Sequence, residues 1–276
     1  MAPVTLLLIL LNVFVSYRGF VRPWLVEKYA FQVDALLLQK DYKRLLTSGF
    51  FHTGWFHLIL NMVSLYAFSE LLEAYLGSMV FLLVYIWSLL GGNVLALFLR
   101  RADGGYSAIG ASGAINGIIF ASIVLYPGMG VGLLGLPLSI PGWLFGLLYM
   151  AFSMYGIRAR SGSVGHEAHL GGALAGMLLA IILQPSSLVE NTLVICAVCV
   201  PALFFTGYLL YRPEVLDRPL GTPRQRAKVY NIDHRYNQRR KQREEDMDRL
   251  LEKVHRHGME SLSKAERQRL DAYGRM

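Results

Sequence analysis

Three short groups of polar residues interrupt otherwise apolar sequence: His57-Leu58-Ile59-Leu60-Asn61, Gly110-Ala111-Ser112-Gly113, and His166-Glu167-Ala168-His169 followed by Leu170-Gly171-Gly172. A serine, histidines and an asparagine are the side chains of acyl transfer. Ser112 would supply the nucleophile and a histidine would take its proton. His169 lies deeper in its apolar run than His166 and is the expected base. Ser112 opens a helical run, so its backbone N–H has no partner within the helix and sits near the positive end of the dipole. His57 and Asn61 are four residues apart and share a helix face. Their side chains and the Ser112 N–H together make an expected oxyanion hole.

Rival chemistries fail on the letters. A zincin needs His-Glu-x-x-His, but His166-Glu167-Ala168-His169 is followed by Leu170 where the second histidine should fall, so no metal is expected. A nucleophile elbow needs Gly-x-Ser-x-Gly after a strand, and position 114 is alanine. No acid is placed as a third member, because Glu167 precedes His169 by two on a helix and points elsewhere. A Ser–His dyad is the economical arrangement. Cys196 and Cys199 form a Cys-x-x-Cys inside an apolar run with no His or acid nearby, and are expected as buried small apolar residues.

The elements that must position these residues are membrane helices. Of 276 residues, 54% are hydrophobic and 17% charged. Residues 212–276 hold 28 of the 46 charged side chains, and none lies between Gly104 and Ile157. A soluble surface needs charge, and a disordered chain is not this hydrophobic, so a polytopic membrane protein with a polar tail remains. Crossings are expected at 3–17, 56–76, 79–99, 112–126, 142–156, 168–183 and 190–211, with Pro201 interrupting the last. The N-terminus lacks the basic region of a cleaved signal peptide, so the first crossing is expected to be retained. Arg18–Trp55 reads as a membrane-surface loop with short helices, and Gly128–Ile140 as an interfacial loop. Counting parity, crossings two, four and six start on one face, and each of the three polar groups stands at such a start. Gly113, Ala114, Gly117 and the pair Gly172-x-x-x-Gly176 give small faces for close helix approach. A Ser–His hydrogen bond of ~2.6–3.2 Å between two helices requires such an approach.

Phe51-His52-Thr53-Gly54-Trp55-Phe56-His57 through Asn61, Gly110-Ala111-Ser112-Gly113-Ala114, and Ala168-His169-Leu170-Gly171-Gly172 with Gly176 resemble the rhomboid intramembrane serine proteases in order and spacing, over residues 40–183. The resemblance implies an all-α polytopic helix bundle, a six-helix core with a short, deep fourth helix below a water-filled cavity, and here a seventh transmembrane helix. It implies Ser112 as nucleophile, His169 as base, His57 and Asn61 as oxyanion partners, no cofactor, and transmembrane protein substrates cut near a helix end. Gly110, Gly113, Gly172 and Gly176 are the expected close-packing positions. The chain departs from the family at Lys43-Arg44, where Trp-Arg is frequent, and at Ser69, where glycine is frequent. His52 and His166 are expected in structural hydrogen bonds or on the surface.

The expected organisation is a core at 1–188, the additional helix at 189–211, a basic linker at 212–243 and a helical motif at 244–276, the last resembling a segment appended to bacterial family members. That favours a multi-pass protein of the bacterial cell (inner) membrane. The basic stretch Arg224–Arg243 suits anionic lipid better than nucleic acid, since no base-reading motif accompanies it. Met247, Leu250, Leu251 and Val254 follow helical spacing, Gly258 reads as a stop, and Ser263-x-x-Glu266 as a capping box. The Lys and Arg of the membrane part fall in loops one, three and five, on the side of the site mouth, which the positive-inside rule would call cytoplasmic; the resemblance implies the opposite orientation. Two other functions compete with proteolysis. A catalytically silent relative that binds transmembrane clients would lack the serine or the histidine. A transporter would carry polar residues on both halves of the bundle, not on one face.

Overall fold

The computed structural model describes residues 2–132, 139–159, 165–212, 215–216 and 246–274. Among the described residues, seven longer helices and four short ones follow one another up to Tyr211: α1 (Pro3–Val21), α2 (Pro23–Tyr29), α3 (Val33–Leu37), α4 (Arg44–Thr47), α5 (Trp55–Leu76), α6 (Ser78–Arg100), α7 (Ser112–Leu125), α8 (Gly142–Ala159), α9 (His166–Leu183), α10 (Ser187–Glu190) and α11 (Thr192–Tyr211). Two small antiparallel pairings join β1 (Phe31–Gln32) to β2 (Ser107–Ala108) and β3 (Gly130–Gly132) to β4 (Ser139–Pro141). Among the described residues, α1, α5, α6, α9 and α11 are long and apolar enough to cross a membrane, and the chain is a multi-pass integral membrane protein.

Most expected crossings match their helices within a few residues. Several readings need correction. The first helix runs four residues past Tyr17, because Ser16 turns its hydroxyl inward and Arg18 lies in the last turn beside the negative end of the dipole. The stretch 128–140 contains a two-stranded pairing in its described part. Pro201 does not interrupt α11, which continues through it to Tyr211; a membrane helix tolerates proline where local adjustment re-satisfies the freed backbone.

α7 lies at the centre, with every residue from Gly113 to Val124 buried. Its 14 residues reach about 21 Å, against the ~30 Å hydrocarbon thickness. At that length it falls short of a full crossing, which corrects the span expected at 112–126. α6, α7 and α9 press together with almost nothing between their backbones. A Cβ on Gly172 would strike the carbonyl of Gly113, and one on Gly176 would strike that of Gly117. A Cβ on Gly92 would come within 2.5 Å of the Ala168 carbonyl.

The far end of this core is tied by a carboxylate. Glu73, near the end of α5, accepts from the Val4 and Thr5 backbone N–H groups (2.9 Å each), from the Thr5 hydroxyl (2.7 Å) and from the Ser78 hydroxyl (2.6 Å). It thereby satisfies donors of the first turn of α1, where a negative charge also suits the dipole.

The C-terminal unit is a compact body of its own, Gln225–Met276. A helix at residues 246–257, α12, and α13 (Lys264–Gly274) are bridged by Lys253 to Glu266 at 3.0 Å and Arg269 to Asp246 at 3.1 Å. Gly258 stops α12 with φ +77°, and the capping box closes through Ser263 N–H to Glu266 at 2.8 Å and Glu266 N–H to Ser263 at 3.3 Å. The basic stretch 224–243 lies outside the described residues.

Because Glu73 gathers four donors on a side chain with little exposure, Glu73→Ala is expected to lower the equilibrium unfolding free energy in detergent by about 3 kcal/mol. An unchanged denaturation midpoint would show that those donors find other partners.

Candidate active site

Ser112 begins α7 and His169 lies in the first turn of α9. Their side chains meet: Ser112 Oγ is 2.7 Å from His169 Nε2. The glycine contacts above permit this, since Gly113 faces the Ala168 backbone and Gly172 faces that of Gly113. His169 is buried and Ser112 half-buried. The other face of the imidazole also has a partner, with Nδ1 3.0 Å from the Tyr149 hydroxyl on α8.

The backbone before the serine is held by the first loop. Gly110 N–H donates to Ser48 O at 3.0 Å, and Ala111 N–H donates to His52 Nε2 at 3.4 Å. Asn93 supports Ser48 in turn, donating to Leu45 O at 2.7 Å and Ser48 Oγ at 3.2 Å. His52 Nδ1 lies 2.8 Å from Ser16 Oγ, whose own proton goes to Phe50 O at 3.0 Å. His52 therefore carries its proton on Nδ1 and is neutral. The amides of residues 110 and 111 are thus occupied, while that of Ser112 is a first-turn donor with no intrahelical partner.

His57 lies beside this turn. A Cβ on Gly110 would sit 2.9 Å from His57 Cε1, 3.1 Å from Nε2 and 3.7 Å from Ser112 Oγ. Gly110 also has φ +132°, so both its backbone conformation and the imidazole require glycine. Thr53 Oγ1 is 3.1 Å from His57 Nδ1, which leaves Nε2 facing the turn. Asn61 donates one amide hydrogen to His57 O at 2.9 Å and keeps the other. The structure thus gathers His57 and Ser112 at the turn with His169 against the serine, and it keeps Asn61 on the His57 helix one turn further in.

His166 is buried beside Gly156 and Phe152, its ring 5.1 Å from that of Phe152. Glu167 turns away from His169, as its position on the helix requires. It accepts from Arg100 Nε at 2.8 Å, from Arg100 Nη2, and from the Tyr106 hydroxyl at 3.2 Å. Arg44 stands where the family's tryptophan–arginine pair would end, and it does anchor the loop: buried, it donates to Glu27 O and Ala30 O at 3.0 and 2.9 Å and pairs with Asp41 at 2.9 Å. Ser69 is fully buried, in keeping with a position for a small residue. Among the described residues no cluster of three or more His, Cys, Asp or Glu could hold a metal. Cys199 contacts Met177 Sδ at 3.8 Å, and Cys196 is exposed on α11.

Sequence reasoning missed Tyr149, Glu73 and the partners of His52. Glu73 carried a signal, an acid inside an apolar run. Tyr149 carried none, being one aromatic among several.

The rhomboid domain family model matches residues 39–186, more than half of the chain. The chain belongs to the rhomboid family. A second model, described as a family of unknown function (DUF6576), matches residues 230–276. Among curated relatives, Rhomboid protein 1, mitochondrial, of Saccharomyces cerevisiae is 32% identical over 184 residues, covering 64% of this chain and 52% of that protein. RHOMBOID-like protein 12, mitochondrial, of Arabidopsis thaliana is 27% identical over 177 residues, covering 59% and 52%. YdcA of Bacillus subtilis, provisionally named a rhomboid protease, is 32% identical over 144 residues, covering 51% and 67%. This rhomboid chain spans about half the length of the first two.

Burial, with His57 beside it, holds the pKa of His52 down from the ordinary 6.5 to about 3. The unfolded chain takes up this proton near pH 6.5 and the folded one does not, so the contribution is complete above that pH and is lost as pH falls toward 3. Melting temperature in detergent should therefore fall between about pH 6.5 and about pH 4, and less steeply in His52→Asn. Parallel profiles for the two proteins would show that His52 is protonated in the fold.

Proposed function

We propose that this rhomboid is an intramembrane serine endopeptidase acting on transmembrane segments. The observation that carries the reading is the 2.7 Å approach of Ser112 Oγ to His169 Nε2 at the inner end of a helix too short to span. Ser112 Oγ attacks the scissile carbonyl carbon while its proton passes to His169 Nε2. The oxyanion meets the Ser112 N–H, the free amide hydrogen of Asn61 and the Nε2–H of His57. Collapse of the intermediate breaks the C–N bond, and His169 returns the proton to the leaving amine. Water, deprotonated by the same imidazole, then hydrolyses the acyl-serine ester. Each step is chemistry available to a dyad with fixed oxyanion donors. A helical substrate must expose a carbonyl to be cut, so segments with small or helix-breaking residues near an end are the preferred class.

The four-part organisation at 1–188, 189–211, 212–243 and 244–276 and residence in a bacterial cell membrane are parts of the same proposal. The similarity to YdcA of Bacillus subtilis supports the bacterial assignment, and the mitochondrial relatives make an organellar membrane the alternative. The competing function is a silent rhomboid that binds transmembrane clients, and retention of both Ser112 and His169 speaks against it.

Fluorophosphonate labelling of purified protein tests the reading. Wild type should label and cleave a transmembrane substrate in lipid, and Ser112→Ala and His169→Ala should do neither while remaining folded. Equal labelling of wild type and Ser112→Ala would sink the assignment. Asn61→Ala should retain its melting temperature and lose about 100-fold in kcat; the reverse pattern would make it a packing residue.

A further inference from the structure

The mechanism above needs a particular imidazole. For Nε2 of His169 to accept the serine proton, the single proton of the neutral ring must reside on Nδ1. Free histidine does not impose this choice, so something beside the ring has to. In a three-residue hydrolase site a carboxylate does it. Here the one nearby acid, Glu167, is turned to Arg100 and Tyr106. What faces Nδ1 is the Tyr149 hydroxyl at 3.0 Å.

We propose that Tyr149 is a positioning residue that accepts the His169 Nδ1–H, selects the tautomer able to act as base, and steadies the imidazolium formed when Ser112 gives up its proton. The proposal rests on the protease reading of the same site. The phenol oxygen is the acceptor, and its own proton needs an outlet. Asn116 stands one turn beyond Ser112, and its Oδ1 is buried without a hydrogen-bond partner, an acceptor left over for that proton. The other end of the same amide donates to Ser112 O at 2.8 Å. Hydrogen bonds therefore run from Tyr149 through His169 to Ser112, whose own carbonyl Asn116 holds.

The tyrosine is also well fixed. Its ring stacks on Phe145 at 5.7 Å and lies 6.1 Å from Phe120 and 6.2 Å from Phe152. It lies 6.2 Å from the His169 ring at 30°. A bystander tyrosine would be held by the same packing, so the hydroxyl, not the ring, is the thing to remove.

Tyr149→Phe keeps the ring and deletes the acceptor. With one hydrogen bond lost, kcat and the fluorophosphonate labelling rate should fall about tenfold, with KM within about twofold and the melting temperature unchanged. The ring nitrogens of 15N-histidine-labelled protein, assigned to residue 169 with His169→Ala, should report Nδ1–H alone in wild type and a tautomer mixture in Tyr149→Phe. Should that variant melt early, 3,5-difluorotyrosine at position 149 supplies a weaker acceptor of nearly the same size and should shift the same two readouts in the same direction. Unchanged rates with unchanged ring-nitrogen shifts in a folded Tyr149→Phe overturn the proposal. A wild type that neither labels nor cleaves overturns the protease reading instead, and the nitrogen shifts still decide whether Tyr149 selects the tautomer.

Discussion

Two side chains on different helices can share a 2.7 Å hydrogen bond only if the helices almost touch, and that approach governs the rest of this molecule. Gly113, Gly117, Gly172 and Gly176 are the points where α7 and α9 meet backbone to backbone, and Gly92 brings α6 against Ala168. Apolar side chains in lipid gain little by leaving it, so membrane helices approach closely only where small residues let their backbones do so. The three helices form a rigid inner layer. α1, α5, α8 and α11 pack around it through side chains, which is why their outer faces are rich in exposed Leu, Phe and Tyr.

The loops complete what the layer begins. The turn that presents Ser112 has its two preceding amides taken up by Ser48 and His52, while buried Arg44 and half-buried Arg100 contact loop carbonyls, Asp41 and Glu167. These arginines are among the cations that crowd the site side of the sequence. The positive-inside rule counts Lys and Arg and takes little account of neighbouring acids, so these pairings leave the charge pattern pointing the opposite way from the family orientation.

Much of this was legible in the sequence because lipid leaves few choices. Apolar runs bounded by Gly and Pro marked the helices, each of the three polar groups stood at a helix start, and the spacing of glycines marked the contact of α7 with α9. The helix start at Ser112 and the direction of Glu167 were also readable. What escaped were pairings between distant, ordinary-looking residues. Glu73 with Thr5 joins positions 68 apart, and nothing local in either segment announces the other. Tyr149 reaches His169 because α8 lies beside α9, and its apolar neighbours hide the one hydroxyl that matters. The continuation of α11 past Pro201 was misread because a rule for water was applied to a helix whose outer face is exposed.

The shortness of α7 has a consequence for what the site can consume. A helix of 14 residues falls about 9 Å short of the ~30 Å hydrocarbon thickness, and with that deficit on the Ser112 side, as the proposed function requires, the column above the serine would be only a few water molecules deep. If the proposed protease reading holds, its acyl-enzyme would require one water per turnover, and in such a column solvent would be a reagent in short supply instead of a medium. Deacylation would then depend on how many waters the polar rim of His57, Asn61 and the first loop retains. A protease built this way would set its hydrolytic rate partly by the hydration of its own entrance.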